Sequence, residues 1–404
     1  MNPTATPVKW GNPEVLRQAR MRLNLTPEHV AVQSKHLGKF YEPVTAQELE
    51  GWEKGRGEPS LEQLETLSEI YYCPVGYFFR DEFPPERLPL NFRALSPGKH
   101  ERLQAESHQA LRWFLEMARW TSNLINDLGI EWQVNVGNAT LDDPIERVAA
   151  EERKRLGFKP SVRKSWGDRA EAFRWWRSHV EDLGVFCFER KLALKDIRGA
   201  SVWEKGGVPC ILVNHQDLEV DTGRTFTLLH EYAHLLLKQP GFVCDFSGTG
   251  LAGRIESFAN KLAAEILLPK SELAERLKEI DLLVYRDQWS DFKLDEIRQP
   301  LFVSRHVIAL RLQEMELAPP DFYNRKKAQW ENRTPGWPHG GQVSHRTLIE
   351  RKFTEIGYSL SRLLSSPRVE QSLSLYDASG ALGIKIEQAQ ALIGWLREGK
   401  QKEL

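Results

Sequence analysis

The sequence predicts an α+β fold that is mostly helical, with one small β-sheet. In most of the chain, apolar residues recur every three or four positions, which is typical of amphipathic helices. The pattern changes over residues 199–214, where two apolar segments flank Lys205-Gly206-Gly207, as in a β-hairpin. The chain has 404 residues, of which 41% are hydrophobic, and this is enough for two or three domains with cores of their own.

The charge balance excludes binding to nucleic acid through an overall positive charge of the protein. Lys and Arg number 55 against 56 Asp and Glu, so a DNA contact needs a local patch. The first residues lack a signal-peptide pattern, and no apolar run approaches the roughly 18 residues of a membrane span. The four cysteines are scattered without a C-x-x-C pair, which favours reduced thiols: Cys73, Cys187, Cys210 and Cys244. We therefore expect a cytoplasmic protein that does not contact a membrane.

Four short helices are predicted over residues 10–80. Asn12-Pro13 and Thr26-Pro27 are start signals, because each places a capping side chain before a proline in the first turn. Further helices are predicted over residues 45–52 and 60–70. A Pro-rich linker is expected over residues 81–98.

The rest of the chain is predicted to be helical outside the hairpin. Helices are expected over residues 100–128, 143–183, 224–240, 252–266, 303–317, 348–364 and 370–396. Residues 330–342 contain several Pro and Gly and are predicted to be a second linker. The last 60 residues then form a small helical tail, which we interpret as a dimerisation or docking module.

The strongest chemical signal is the pentapeptide His230-Glu231-Tyr232-Ala233-His234. Four residues of a helix turn the chain by about 400°, so both imidazoles project from one face and can bind one metal ion. A chain of this length with 11 histidines has a chance of only a few per cent of containing such a motif by coincidence. The competing interpretation is a pair of histidines hydrogen-bonded inside a helical core.

A catalytic zinc site needs a third protein ligand and an open position for water. Glu256 begins the next amphipathic helix and is the leading candidate, with Asn260 one turn later placed to support the ligands. Glu265 is the rival ligand, and Asp245 and His215 are weaker candidates. Spacing alone does not decide among them.

Several segments together resemble the ImmA/IrrE-type metallopeptidases. The segment Arg224–Leu237 looks like the core motif of that family, preceded by the strand over residues 208–214. The sequences over residues 256–269 and 303–312 are similar to the helices that follow the motif in the family. The resemblance covers roughly residues 140–320 and implies a zincin-like fold.

The resemblance implies a role for each motif residue. His230, His234 and Glu256 correspond to the metal ligands, and Glu231 corresponds to the general base. One ion per chain is expected, with zinc as the default and manganese as the alternative. Tyr232 is expected to be packed. The strand over residues 208–214 is expected to pair with an extended substrate at the sheet edge.

The N-terminal segment resembles the phage-repressor (XRE-type) helix-turn-helix. The similarity lies in Leu16–Arg20, Leu25–Ala31, Trp52–Leu64 and Pro74–Phe79. In that family the helix that ends at the Trp-Glu turn enters the major groove of DNA. Here this helix carries Glu48 and Glu50 and no Lys or Arg, whereas phosphates repel carboxylates. Five residues are candidate DNA contacts: Arg17, Arg20, Gln47, Lys54 and Arg56. The alternative is a helical module that recognises a protein.

The helical pattern and the two resemblances together imply four regions: a helix-turn-helix domain (8–80), a linker with connecting helices (81–139), a metallopeptidase domain (140–329) and a helical C-terminal domain (343–404). The resemblance to the ImmA/IrrE-type family further implies a metal-dependent endopeptidase that cleaves a regulatory protein controlling stress, phage or mobile-element genes. Its expected partners are a protein substrate, such as a transcriptional repressor, and DNA at the N-terminal domain, with a homodimer as a further expectation. The alternatives are a non-cleaving regulator or antitoxin that senses metal or a ligand, and an intact fold with an idle site.

Overall fold

The computed structural model describes residues 11–23, 25–37, 41–71, 73–83, 91–94, 105–192, 197–215, 222–238, 251–331 and 347–399. The chain divides into two compact units. The first comprises Met1–Leu88, Ala94–Trp113 and Lys191–Asp196, and the second comprises Pro89–Arg93, Phe114–Arg190 and Ile197–Leu404. The described residues are mostly helical with a small sheet, which confirms the predicted α+β class.

The first unit contains the four predicted N-terminal helices and a 3-10 turn over Val75–Phe79. They are α1 (Pro13–Arg22), α2 (Pro27–His36), α3 (Ala46–Glu53) and α4 (Leu61–Tyr71). Asn12 and Thr26 cap their helices as expected, and Thr45 caps α3; each accepts a hydrogen bond from a backbone N–H of the first turn. The apolar stripes of the four helices meet in one core around Leu16, Leu49 and other buried residues.

Most helices of the chain follow the N-terminal group. They are α5 (Ala105–Asp127), α6 (Ile145–Arg155), α7 (Arg169–Asp182), α8 (Thr222–Leu236), α9 (Leu251–Leu267), α10 (Lys270–Glu279), α11 (Asp291–Arg298), α12 (Arg305–Glu314), α13 (Phe322–Glu331), α14 (Leu348–Leu364), α15 (Pro367–Ser372), α16 (Leu375–Leu382) and α17 (Ile386–Arg397). The boundary between the two units falls within α5. The tail segment predicted over residues 370–396 is divided among three helices, because Leu373 and Gly383 end α15 and α16. Among the described helices, none combines the length and apolar character needed to cross a bilayer.

The sheet contains β1 (Asn91–Ala94), β2 (Phe186–Arg190), β3 (Ile197–Val202) and β4 (Cys210–Asn214), in the order β1-β3-β4-β2. Strands β3 and β4 pair antiparallel, which confirms the predicted hairpin. Strand β2 pairs parallel with β4. Strand β1 lies within the Pro-rich linker predicted over residues 81–98. Most other residues of that linker lie outside the described ranges, and so do most residues of the second predicted linker.

One expectation about the sheet is wrong. The sequence predicts that residues 208–214 offer an edge to a substrate strand, but β4 is hydrogen-bonded to β3 on one side and to β2 on the other. All five residues of β4 are buried. An added strand therefore has no free edge on β4.

Candidate metal centre

Helix α8 carries the His-Glu-x-x-His motif and lies in the interior of the second unit. It packs against β3, β4, α7 and α9, and every residue of α8 except Arg224 is buried. Its leucines enter the large apolar core of the unit. The helix therefore holds its polar motif residues in fixed surroundings.

His230, His234 and Glu256 converge on one point. The Nε2 atoms of the two histidines lie 3.2 Å apart. On α9, Oε2 of Glu256 lies 3.3 Å from Nε2 of His230, and Oε1 of the same carboxylate lies 3.1 Å from Nε2 of His234. Within the described residues, these three form the one group of His, Cys, Asp or Glu side chains arranged to hold a metal ion.

The separations between the two imidazoles and the carboxylate oxygens are compatible with a tetrahedral metal ion. Zinc bonds to His nitrogen and carboxylate oxygen measure about 2.0–2.2 Å, and a tetrahedral angle then separates neighbouring ligand atoms by about 3.3–3.5 Å. The observed separations lie close to that distance. Two imidazoles and one carboxylate also leave a fourth position open, which is the donor set of a catalytic rather than a structural site.

Electrostatics favour a charged carboxylate between the two imidazoles. Burial opposes ionisation of Glu256, yet hydrogen bonds from His230 and His234 hold the pKa of this carboxyl well below its usual range. Burial likewise opposes protonation of His234, but the Glu256 carboxylate raises the pKa of this imidazole above its ordinary value. The three groups therefore favour a cation between them.

Glu231 faces the sheet and contacts a serine that lies outside the sequence motif. Ser201, on β3, donates a hydrogen bond from Oγ to Oε2 of Glu231 over 2.8 Å. Both residues are buried, at 1% and 0% exposure. Ser201 is 30 positions from Glu231 in the sequence, and its only sequence signal is a polar side chain inside an apolar strand.

The structure places the other candidates as follows. Asn260 lies one turn after Glu256 on α9 and is partly exposed, so its supporting role stays a prediction. Glu265 is at the opposite end of α9 and pairs with Arg311 over 2.8 Å. His215 is exposed, and Asp245 lies outside the described residues.

Tyr232 is packed, as expected. Its side chain is fully buried and its hydroxyl donates to Glu152 at 2.6 Å.

The candidate DNA contacts differ in their surroundings. Arg20 binds Glu53 and the carbonyl of Leu25, with its side chain only 14% exposed. Two exposed residues pair along their own helices: Arg17 with Glu14 and Lys54 with Glu50. Gln47 and Arg56 are exposed.

The fold and site define a candidate metal centre of the His-Glu-x-x-His type on a helix that packs against a small sheet. Residues 180–313 match the family model Peptidase_M78, described as the IrrE N-terminal-like domain. The match supports a metallopeptidase-like domain of the ImmA/IrrE type, and it includes α8 and α9. No curated protein and no solved structure matches the chain.

Proposed function

We propose that this chain is a metal-dependent endopeptidase that cleaves a regulatory protein. The observation that carries the proposal is the convergence of His230, His234 and Glu256 beside Glu231, within a region that matches a peptidase family. Zinc is the ion that this donor set favours, with manganese as the alternative. The N-terminal helices support a regulatory setting, because their sequence resembles that of repressors.

Each motif residue has a defined task in the proposed reaction. His230, His234 and Glu256 would hold the ion. When bound, a divalent ion lowers the pKa of water and polarises the substrate carbonyl. Glu231 takes the proton from the attacking water and later gives it to the leaving amine.

We propose that the N-terminal helices bring the peptidase to its target, either on DNA or directly on a protein. Residues 11–83 contain eight Lys and Arg against twelve Asp and Glu, so this segment has no basic excess to attract phosphates. Its acidic balance supports recognition of a protein more than non-specific DNA binding. We therefore propose that the peptidase cleaves a repressor that is bound near the N-terminal helices.

Replacing the base tests whether the chain cleaves a protein. Cells lacking the gene are complemented with the wild type, with Glu231→Gln, or with Glu275→Gln as a control on the exposed face of α10. New protein N-termini are then catalogued by mass spectrometry. We expect the same new N-termini with the wild type and with Glu275→Gln and none with Glu231→Gln, while all three purified proteins contain metal.

Two results would contradict the proposal. Cleavage by Glu231→Gln at the wild-type rate would exclude Glu231 as the base. A set of N-termini that does not differ between wild-type and deletion cells would favour a regulator that does not cut.

A further inference from the structure

Strand β3 presents two small residues to the motif helix. Gly199 and Ser201 are two positions apart and therefore lie on the same face of the strand. At Gly199 a Cβ atom would lie 2.5 Å from Cγ2 of Thr227 and 3.1 Å from Cγ of Glu231. The absence of a side chain at Gly199 thus lets α8 approach β3 closely, with Thr227 and Glu231 one helical turn apart at the contact.

The same face of β3 holds the Glu231 carboxylate. The hydroxyl of Ser201 donates to Oε2 of Glu231 at 2.8 Å, and β3 itself is fixed by pairing with β4, where Ser201 lies opposite Ile211. The last torsion of a glutamate side chain is broad and roughly two-fold, so the carboxylate plane is set by its hydrogen bonds rather than by rotamer preference.

We propose that Ser201 is a positioning residue for Glu231. The Ser201 hydroxyl fixes one carboxylate oxygen of Glu231 and thereby fixes the plane of the carboxylate. This plane determines how Glu231 faces the water or ligand from which it accepts a proton. Ser201 does not touch the metal ligands in this role. The inference rests on the proposed function, because it requires Glu231 to act as a base.

Acetohydroxamic acid probes this role without a known substrate. A hydroxamic acid that binds a metal through both oxygens gives its O–H proton to a neighbouring carboxylate, so its affinity reports how well Glu231 is placed. Binding to zinc-loaded wild type, Ser201→Ala, Ser201→Cys and Glu231→Gln is measured by calorimetry. Ser359→Ala is the matched control, because it removes another buried serine hydroxyl, one that donates to the carbonyl of Glu181.

We expect Ser201→Ala to bind the probe about tenfold more weakly than the wild type, as befits a hydrogen bond to a charged group. Its zinc content should equal that of Ser359→Ala. Ser201→Cys keeps the shape of the side chain with a weaker donor, so its affinity should be intermediate. Ser359→Ala should bind the probe like the wild type.

The outcomes separate this inference from the proposed function. Wild-type affinity in Ser201→Ala, together with weak binding in Glu231→Gln, would overturn the role of Ser201 alone. A loss of zinc in both Ser201 variants would assign the hydroxyl to the fold and also overturn it. Wild-type affinity in Glu231→Gln, or a wild type that binds no zinc, would refute the proposed function itself.

Discussion

At the residue scale, Glu256 organises the candidate metal centre. One carboxylate contacts both motif histidines, at 3.1 and 3.3 Å, and its pKa is held well below the ordinary value. A negative charge fixed between two imidazoles prepares the three ligand atoms for a cation. The ligands therefore need little rearrangement when an ion binds, which reduces the ordering cost of binding.

Arg20 shows that a candidate contact residue can be structural. Its guanidinium contacts the Glu53 carboxylate at 2.6 Å and the Leu25 carbonyl at 2.7 Å. The Arg20 side chain is 14% exposed and the Glu53 side chain is 6% exposed. Arg20→Ala should lower the free energy of unfolding by roughly 1–3 kcal/mol, because it removes charge-assisted hydrogen bonds and leaves Glu53 unpaired. Urea denaturation measures the change.

Arg17→Ala is the control on the same helix. The pair of Arg17 with Glu14 is exposed, and exposed pairs contribute little, so this variant should unfold like the wild type. Equal stability of Arg20→Ala and Arg17→Ala would show that Arg20 is not structural and would restore it as a candidate DNA contact.

The sequence predicted which three side chains converge, but it did not predict the contact between Ser201 and Glu231. His230 and His234 are four residues apart in one helix, so local periodicity alone places them on one face. Glu256 followed from the family resemblance, because spacing left Glu265 open. The Ser201–Glu231 contact depends on how β3 packs against α8, which is a long-range arrangement that no local pattern encodes.

At the element scale, α14 is held against β2 through Gly357. This glycine has φ +77° and ψ 177° and interrupts the helical backbone of α14. A Cβ atom there would lie 2.2 Å from Oε1 of Glu181 and 2.4 Å from the carbonyl oxygen of Cys187. Arg177 joins the contact by donating to the carbonyl of Thr354 at 2.8 Å. The backbone of α14 therefore meets a buried polar network directly.

Gly357→Ala should therefore destabilise the second unit. The substitution forces a Cβ into backbone and side-chain oxygens at a left-handed φ, and we expect a loss of more than about 2 kcal/mol. Thermal unfolding measures the effect. Gly394→Ala in α17 is the matched control, because a Cβ there meets nothing within 4 Å, and alanine stabilises a helix interior by up to about 1 kcal/mol. An unchanged unfolding temperature in Gly357→Ala would contradict this account of the contact.

Secondary structure was predictable where its signals are local. Asn12 and Thr26 mark helix starts because a cap satisfies N–H groups of the adjacent turn. Strand β2 was not predicted, although Val185 to Phe188 after Gly184 carries β-forming residues. Strand β2 pairs parallel with β4 and so removes the free edge expected for β4. This pairing joins segments more than 20 residues apart, which local sequence signals do not reveal.

At the scale of the whole molecule, the chain combines a unit that contains the four N-terminal helices with a unit that carries the candidate metal centre. The family match covers residues 180–313, whereas α1–α4 and α14–α17 lie outside it. These flanking segments are where we expect target choice to reside. The proposed peptidase function depends on one premise, which is that His230, His234 and Glu256 bind a metal ion.

Metal content is the most direct test of that premise. Purified wild type, His230→Ala and His215→Ala are saturated with zinc, desalted and measured by elemental mass spectrometry. His215 is an exposed histidine that is not one of the proposed ligands, so its variant controls for the loss of an imidazole. We predict about one zinc per chain in the wild type and in His215→Ala, and a loss of most of it in His230→Ala. A wild type without zinc, or a His230→Ala variant that keeps it, would contradict the account.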